Sequence, residues 1–76
     1  MSKLPVLSGT RVCGILKKIG YLVDHQTGSH IILRNVNYPY RRVTVPNHKE
    51  ISKGTLRAII RECGLTLEEF NSLMKR

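Results

Sequence analysis

The chain has 76 residues, with 13 Lys and Arg against 5 Asp and Glu, so its formal charge is +8. This length suffices for one domain, residues 1–76, with residues 1–7 either a flexible extension or a segment packed on the sheet. The chain has neither a secretory signal nor a membrane span, which predicts a cytoplasmic protein without membrane association, and its charge favours a polyanionic partner.

The first predicted element is an amphipathic helix with one basic and one buried face. Its apolar residues recur at the i, i+3, i+4, i+7 spacing of such a helix: Val12, Ile15, Leu16 and Ile19. Either Ser8 or Thr10 can cap its start. Gly20 supplies a residue that tolerates the left-handed conformation at which helices end.

Three strands are predicted next, because the helical period is lost and β-branched and aromatic residues become frequent. We place them at 21–26, 30–36 and 41–45. Thr27-Gly28-Ser29 and Asn37-Tyr38-Pro39 provide the turn residues between them, and Pro46 ends the third. Such short turns indicate an antiparallel meander.

Two further helices complete the chain. The apolar residues of the second repeat the helical spacing between a Ser52 cap and a Gly64 stop: Leu56, Ile59, Ile60 and Cys63. Thr66-Leu67-Glu68-Glu69 reads as a capping box for a short third helix. The predicted fold is therefore α+β, in the order α-β-β-β-α-α, with the helices packed on one face of a three-stranded antiparallel sheet.

The positive charge is concentrated in the second half of the chain. Between Arg34 and Arg61 there are seven Lys and Arg and one acid, Glu50. Lys53, Arg57 and Arg61 follow one another at i, i+4 and i+8, where like charges repel and do not pair. We expect Lys49, Lys53 and Arg57 to bind RNA phosphates near a helix N-terminus, which itself favours anions.

A second basic group is predicted at the turn between the second and third strands. Arg41 and Arg42 lie there beside Tyr38 and Tyr40. Arginines bind phosphate and tyrosine rings stack on bases, so we include both arginines among the RNA-binding residues. The tyrosines can equally serve in packing.

The three histidines are the first candidates for acid–base chemistry, because imidazole titrates near neutral pH. His30 follows Gly28-Ser29 at a hairpin rim, where a side chain is firmly held and accessible to a phosphate. An ordinary strand histidine is the competing interpretation. His48, in the loop before the second helix, is predicted to bind phosphate or cap the helix, and His25 is given no role.

Other kinds of site have no support in the sequence. Cys13 and Cys63 fall at apolar helical positions and are expected to be reduced core thiols. We find no paired carboxylates for metal ions, no phosphate-binding Walker loop and no Ser-His-Asp spacing. We therefore expect no metal and no small-molecule cofactor, and any RNA cleavage must use the 2′-hydroxyl of the RNA itself.

Several segments together resemble the HicA toxin family over about residues 11–70: Gly28-Ser29-His30, Val43-Thr44-Val45-Pro46-Asn47-His48, Gly54-Thr55-Leu56-Arg57 and Cys63-Gly64-Leu65. The resemblance implies a double-stranded-RNA-binding-domain-like fold, an endoribonuclease acting on messenger RNA, and a HicB-type antitoxin that masks its site. It also implies that His30 is the catalytic residue, and we expect the adjacent Ser29 to bind RNA. This chain departs from many relatives at Ile31, where they carry a second polar residue, so the second proton-transfer group stays unidentified.

Two other functions are compatible with the sequence. A non-catalytic double-stranded RNA-binding module needs the same fold and cations but no general base. A helix-turn-helix built from the last two helices would bind DNA. Glu68 and Glu69 argue against the second function, because they place negative charge at the start of the recognition helix.

Overall fold

The structure, a computed structural model, describes residues 4–76. Its elements are α1 (Gly9–Lys17), β1 (Tyr21–Gln26), β2 (His30–Asn35), β3 (Arg42–Pro46), α2 (Lys53–Glu62) and α3 (Leu67–Met74). This order and the antiparallel sheet confirm the predicted α+β fold, and every strand boundary lies within one residue of its predicted position.

The sheet has the order β1-β2-β3, so β2 is central. His30 at the start of β2 pairs with Pro46 at the end of β3, and Arg34 pairs with Arg42. The expectation that Pro46 follows the third strand was wrong by one residue. Proline is tolerated there because β3 is an edge strand, where a missing N–H breaks no ladder hydrogen bond.

All three helices pack on one face of the sheet. The strand residues that point to the helices alternate with residues of the opposite side and belong to the core: Ile31, Leu33, Val43 and Val45. The same hydrophobic core contains apolar residues of each helix, among them Leu16, Leu56 and Phe70. The opposite side of the sheet, called the outer face below, carries His30, Ile32, Arg34, Arg42 and Thr44.

Helix ends follow the predicted signals. Ser8 caps α1 by accepting a hydrogen bond from Arg11 N, which decides between Ser8 and Thr10. Ser52 caps α2, and Thr66 forms the predicted capping box with Glu69. Gly20 and Gly64 have φ angles of 99° and 75°, the left-handed region that ends a helix at low cost for glycine.

The segment before α1 is partly integrated into the core. Leu4 and Leu7 are buried, and Leu7 O accepts a hydrogen bond from Ile51 N at 2.8 Å. Leu4 and Leu7 thus contribute to the core, whereas residues 1–3 lie outside the described residues. Cys13 and Cys63 are free and buried, and burial raises the pKa of both thiols.

The longest described helix, α2, has 10 residues. No helix within residues 4–76 combines the length and apolarity that crossing a bilayer requires.

Candidate active site

His30 stands at the first position of β2, where the β1–β2 hairpin turn fixes its backbone. Thr27 N donates to His30 O at 2.9 Å, and His30 N donates to the Thr27 hydroxyl at 3.1 Å. These two bonds close the turn around Gly28 and Ser29. They explain how a short turn holds the predicted histidine in one backbone geometry.

The imidazole of His30 is exposed, as its predicted position at the rim requires. Its Nδ1 lies 3.1 Å from the Ser29 hydroxyl, within hydrogen-bond distance. That contact engages Nδ1, whereas Nε2 has no hydrogen-bond partner within the described residues. When Nδ1 carries the proton and donates it to Ser29, Nε2 has a free lone pair that can accept a proton.

The loop between β3 and α2 runs beside this turn. Asn47 N donates to Ser29 O at 2.9 Å, which joins the loop to the hairpin directly next to His30. His48 and Lys49 follow at once and are exposed. The structure thus brings Ser29, His30, His48 and Lys49 to one end of the molecule.

The start of α1 packs on the other side of this loop. Gly9 N donates to His48 O at 2.9 Å. A Cβ at Gly9 would overlap the carbonyl oxygen of Pro46 and lie 3.2 Å from Asn47 Cα, so only glycine allows this approach. The sequence did not identify Gly9. A glycine at the start of a helix gives no sign that the backbone of a segment far along the chain packs against it.

The start of α2 lies at the same end, immediately after the loop. Lys53 is its first residue and Arg57 follows one turn later; both are exposed. Neither α1 nor α2 has an acid in its first turn. The positive ends of both helices and these cations therefore add to one another, an arrangement that favours anions.

The basic side chains of the lysines and arginines in the described part of the chain form no salt bridges with acids. Within residues 4–76 the sole salt bridge joins His25 to Asp24, at 3.2 Å. Lys49, Lys53 and Arg57 consequently lack carboxylates that would neutralise them. Cations without partners are available to phosphate groups.

Arg41 and Arg42 lie elsewhere. Arg42 pairs with Arg34, four residues along β2 from His30, which is about 13 Å at the usual rise of a strand. Arg41 Nη1 lies 3.4 Å from Glu62 O, and its guanidinium faces Gly64 at the C-terminus of α2. The structure therefore divides the predicted RNA-binding residues into a group at the His30 end and a pair at the opposite end.

His25, which was given no role, also reaches the outer face. It pairs with Ile32, and its Nδ1 lies 3.2 Å from Asp24 Oδ2. Its side chain is 53% exposed. Within the described residues, no three His, Cys, Asp or Glu side chains are grouped as metal ligands.

Comparison with known families identifies a matching family model. Residues 9–65 match the sequence profile of a family described as the HicA toxin of bacterial toxin-antitoxin systems. This range covers α1, the whole sheet and α2, and ends just before α3. A comparison with curated proteins gives no match.

Proposed function

The chain belongs to the HicA toxin family, and from this premise we propose that it is an endoribonuclease that cleaves messenger RNA with the help of His30. Family membership makes it the toxin of a toxin–antitoxin system and implies an antitoxin partner. The observation that carries the proposal is the exposed His30 imidazole, whose Nδ1 is engaged by Ser29 beside unpaired cations.

In the proposed reaction, the 2′-hydroxyl of the RNA attacks the adjacent phosphorus. His30 Nε2 accepts the proton of that hydroxyl as the new bond between oxygen and phosphorus forms. The bond between phosphorus and the 5′-oxygen then breaks and the 5′-oxygen takes up a proton from an acid or from water, which leaves a 2′,3′-cyclic phosphate and a 5′-hydroxyl. Ser29 orients the ring through Nδ1, so that Nε2 is the nitrogen presented to the substrate.

The cations at the same end hold the substrate. Lys49, Lys53 and Arg57, together with His48, bind the phosphates of single-stranded or loosely structured RNA, and the fixed positive charge stabilises the transition state. The proposed chemistry needs no metal ion. Cleavage that a chelator abolishes, or products with a 5′-phosphate, would contradict it.

Replacement of His30 by alanine tests the proposal. We expect His30→Ala to lower kcat/KM for RNA cleavage by at least about 100-fold, the usual contribution of general base catalysis. RNA affinity should change less than twofold, because the cations remain. Cleavage of a fluorescent RNA and its binding by anisotropy are measured on the same preparations, and inducible expression reports growth arrest.

The control is Lys17→Ala, an exposed residue near the end of α1. It should cleave RNA like the unaltered chain. A His30→Ala protein that retains cleavage would contradict the role of His30. An unaltered chain that binds RNA without cleaving it, and whose toxicity His30→Ala does not change, would support the non-catalytic RNA-binding module. A preference for duplex DNA over RNA would support the helix-turn-helix.

We further propose that the antitoxin is of the HicB type, that it covers the basic end, and that both proteins act in the cytoplasm with messenger RNA. The charge of +8 supports fast association with an acidic protein. Co-purification from the native operon measures this directly. A neighbouring gene product that neither binds the chain nor suppresses its toxicity would contradict it.

A further inference from the structure

A second imidazole shares the outer face of the sheet with His30. His25 of β1 pairs with Ile32 of β2, and Ile32 is two residues from His30 on the same side of that strand. Diagonal neighbours of this kind in an antiparallel pair have Cα atoms about 7–8 Å apart. Two imidazoles at that separation can reach opposite sides of one phosphate group.

A β-bulge is what turns His25 to this side. The pairing of β1 with β2 shifts between Val23 and His25, so Asp24 is an extra residue without its own partner. In a regular strand that starts with the buried Tyr21, residue 25 would point to the helices. Bulges often redirect a side chain beside an active site.

Asp24 holds the redirected ring. Its Oδ2 lies 3.2 Å from His25 Nδ1, so the carboxylate engages that nitrogen, and Nε2 of the half-exposed ring has no partner within the described residues. The His30 ring is held in the corresponding way, with Nδ1 engaged by Ser29. Both rings thus present Nε2, but only His25 has a carboxylate to balance a positive charge.

We propose that His25 is a second catalytic residue, the general acid that protonates the leaving 5′-oxygen, with Asp24 as its positioning residue. This assignment rests on the proposed function. Because Ile31 stands where many relatives carry a second polar residue, the second proton-transfer group was unidentified. The proposal assigns that role to His25.

The charged groups around His25 are consistent with this role. Asp24 belongs to β1, the same strand as His25. From β2, His30 lies on one diagonal of His25 and Arg34 on the other. Arg34 has no acidic partner within the described residues and can bind a phosphate oxygen on the outer face. Neutral Thr44 of β3 lies beyond Ile32.

The complete step is balanced in protons. His30 Nε2 takes the proton of the 2′-hydroxyl while the new phosphorus–oxygen bond forms. His25 Nε2 gives its proton to the 5′-oxygen while the bond from phosphorus to that oxygen breaks. The enzyme is left with His30 protonated and His25 neutral, and exchange with water restores both.

The test compares two leaving groups, of which only one needs a general acid. A 5′-oxygen must be protonated as it leaves, whereas a 5′-bridging sulfur leaves as a thiolate without help. We expect His25→Ala to lower kcat/KM for ordinary RNA by about 100-fold. With RNA carrying one 5′-phosphorothiolate link, the same variant should retain activity within about fivefold of the unaltered chain.

Two further measurements distinguish an acid from a merely structural residue. The pH profile of kcat/KM should lose its alkaline fall in His25→Ala and keep its acidic fall, because the base His30 is unchanged. Asp24→Asn should show a smaller loss with the same rescue by sulfur. Gln26→Ala, next to His25 and pointing to the other side, should behave like the unaltered chain, and circular dichroism checks the fold of each variant.

Each outcome bears on one proposal. Equal losses of His25→Ala on both substrates, an unchanged pH profile, or full activity on ordinary RNA would overturn the role of His25. Absence of RNA cleavage by the unaltered chain would instead overturn the proposed function. NMR titration with a 2′,3′-cyclic nucleotide then still reports whether His25 and His30 contact one phosphate, and a perturbation confined to His30 contradicts the shared site.

Discussion

Tyr21, the first residue of β1, is a buried phenol that makes the stability of the fold depend on pH above about 10. Its side chain has 0% exposure, and its hydroxyl oxygen lies near Cys63 and Asn35 without making a hydrogen bond of good geometry. Burial raises the pKa of this phenol from 10.0 to about 12. Between these values the unfolded chain is ionised and the folded chain is not, so the stability that the neutral phenol contributes is present below pH 10 and is lost as the pH rises towards 12.

We expect Tyr21→Phe to be as stable as the unaltered chain at pH 7, or more stable by about 1 kcal/mol, because it removes an unpaired buried hydroxyl. Its free energy of unfolding should also fall less steeply above pH 10, by about 1.4 kcal/mol for each pH unit. Urea denaturation from pH 7 to pH 11 measures both effects. Tyr38→Phe, at a tyrosine with 85% exposure, is the control, and a loss above 1 kcal/mol at pH 7 for Tyr21→Phe would contradict the prediction.

The position of His30 could be predicted from the sequence, and that of His25 could not. Gly28 and Ser29 are local turn residues that directly precede His30, so the hairpin rim is evident from neighbours in the chain. The side to which His25 points depends on the bulge at Asp24, and an extra residue in one strand is defined only against its partner strand. The sequence likewise could not show that Arg41 contacts the end of α2, because that contact joins segments that are far apart in the chain. Arg41 was therefore grouped with the phosphate-binding residues.

At the scale of elements, the site depends on a close approach between α1 and the end of β3. Gly9 lies against the Pro46 and Asn47 backbone, and Gly9 N bonds to His48 O. Backbone atoms on both sides cannot move aside as a flexible side chain can. This contact fixes the loop that carries His48 and Lys49 relative to the hairpin of His30.

Gly9→Ala should therefore destabilise the fold by about 1–3 kcal/mol, the usual cost of overpacking. Gly14→Ala, in the same helix, has open space around the added Cβ and should stabilise it by about 0.5–1 kcal/mol. Thermal and urea unfolding compare the two variants. Equal stabilities would show that the approach at Gly9 is not constrained.

Helices and strands were predicted well because their signals are local. Helical spacing, the caps Ser8, Ser52 and Thr66, and the glycine stops all act within a few residues. Pro46 was misplaced because its tolerance depends on β3 being an edge strand, a property of the assembled sheet.

At the scale of the whole molecule, charge dominates the expected behaviour. The chain carries +8, and residues 4–76 contain one salt bridge. The N-termini of α1 and α2 lie at one end of the molecule, together with the loop between β3 and α2. The positive electrostatic potential is therefore concentrated at that end. Binding of a polyanion there releases counterions and must weaken as salt rises.

If about five cations contact phosphates, the logarithm of the RNA association constant should fall with the logarithm of salt concentration with a slope near −4. Lys53→Gln should make this slope shallower by about 0.7–0.9, because one contact is lost. Anisotropy titrations between about 50 and 200 mM salt give the slopes. Lys17→Gln should leave the slope unchanged, and an unchanged slope in Lys53→Gln would remove that residue from the interface.

The bulge at Asp24 has a second consequence, for solubility. β1 is an edge strand with Leu22 and Val23 exposed, and a flat apolar edge is a template for adding strands from other copies. The extra residue interrupts the regular backbone ladder there and places a carboxylate in it. We therefore expect the distortion that redirects an imidazole also to disfavour the addition of strands from other copies along this open edge.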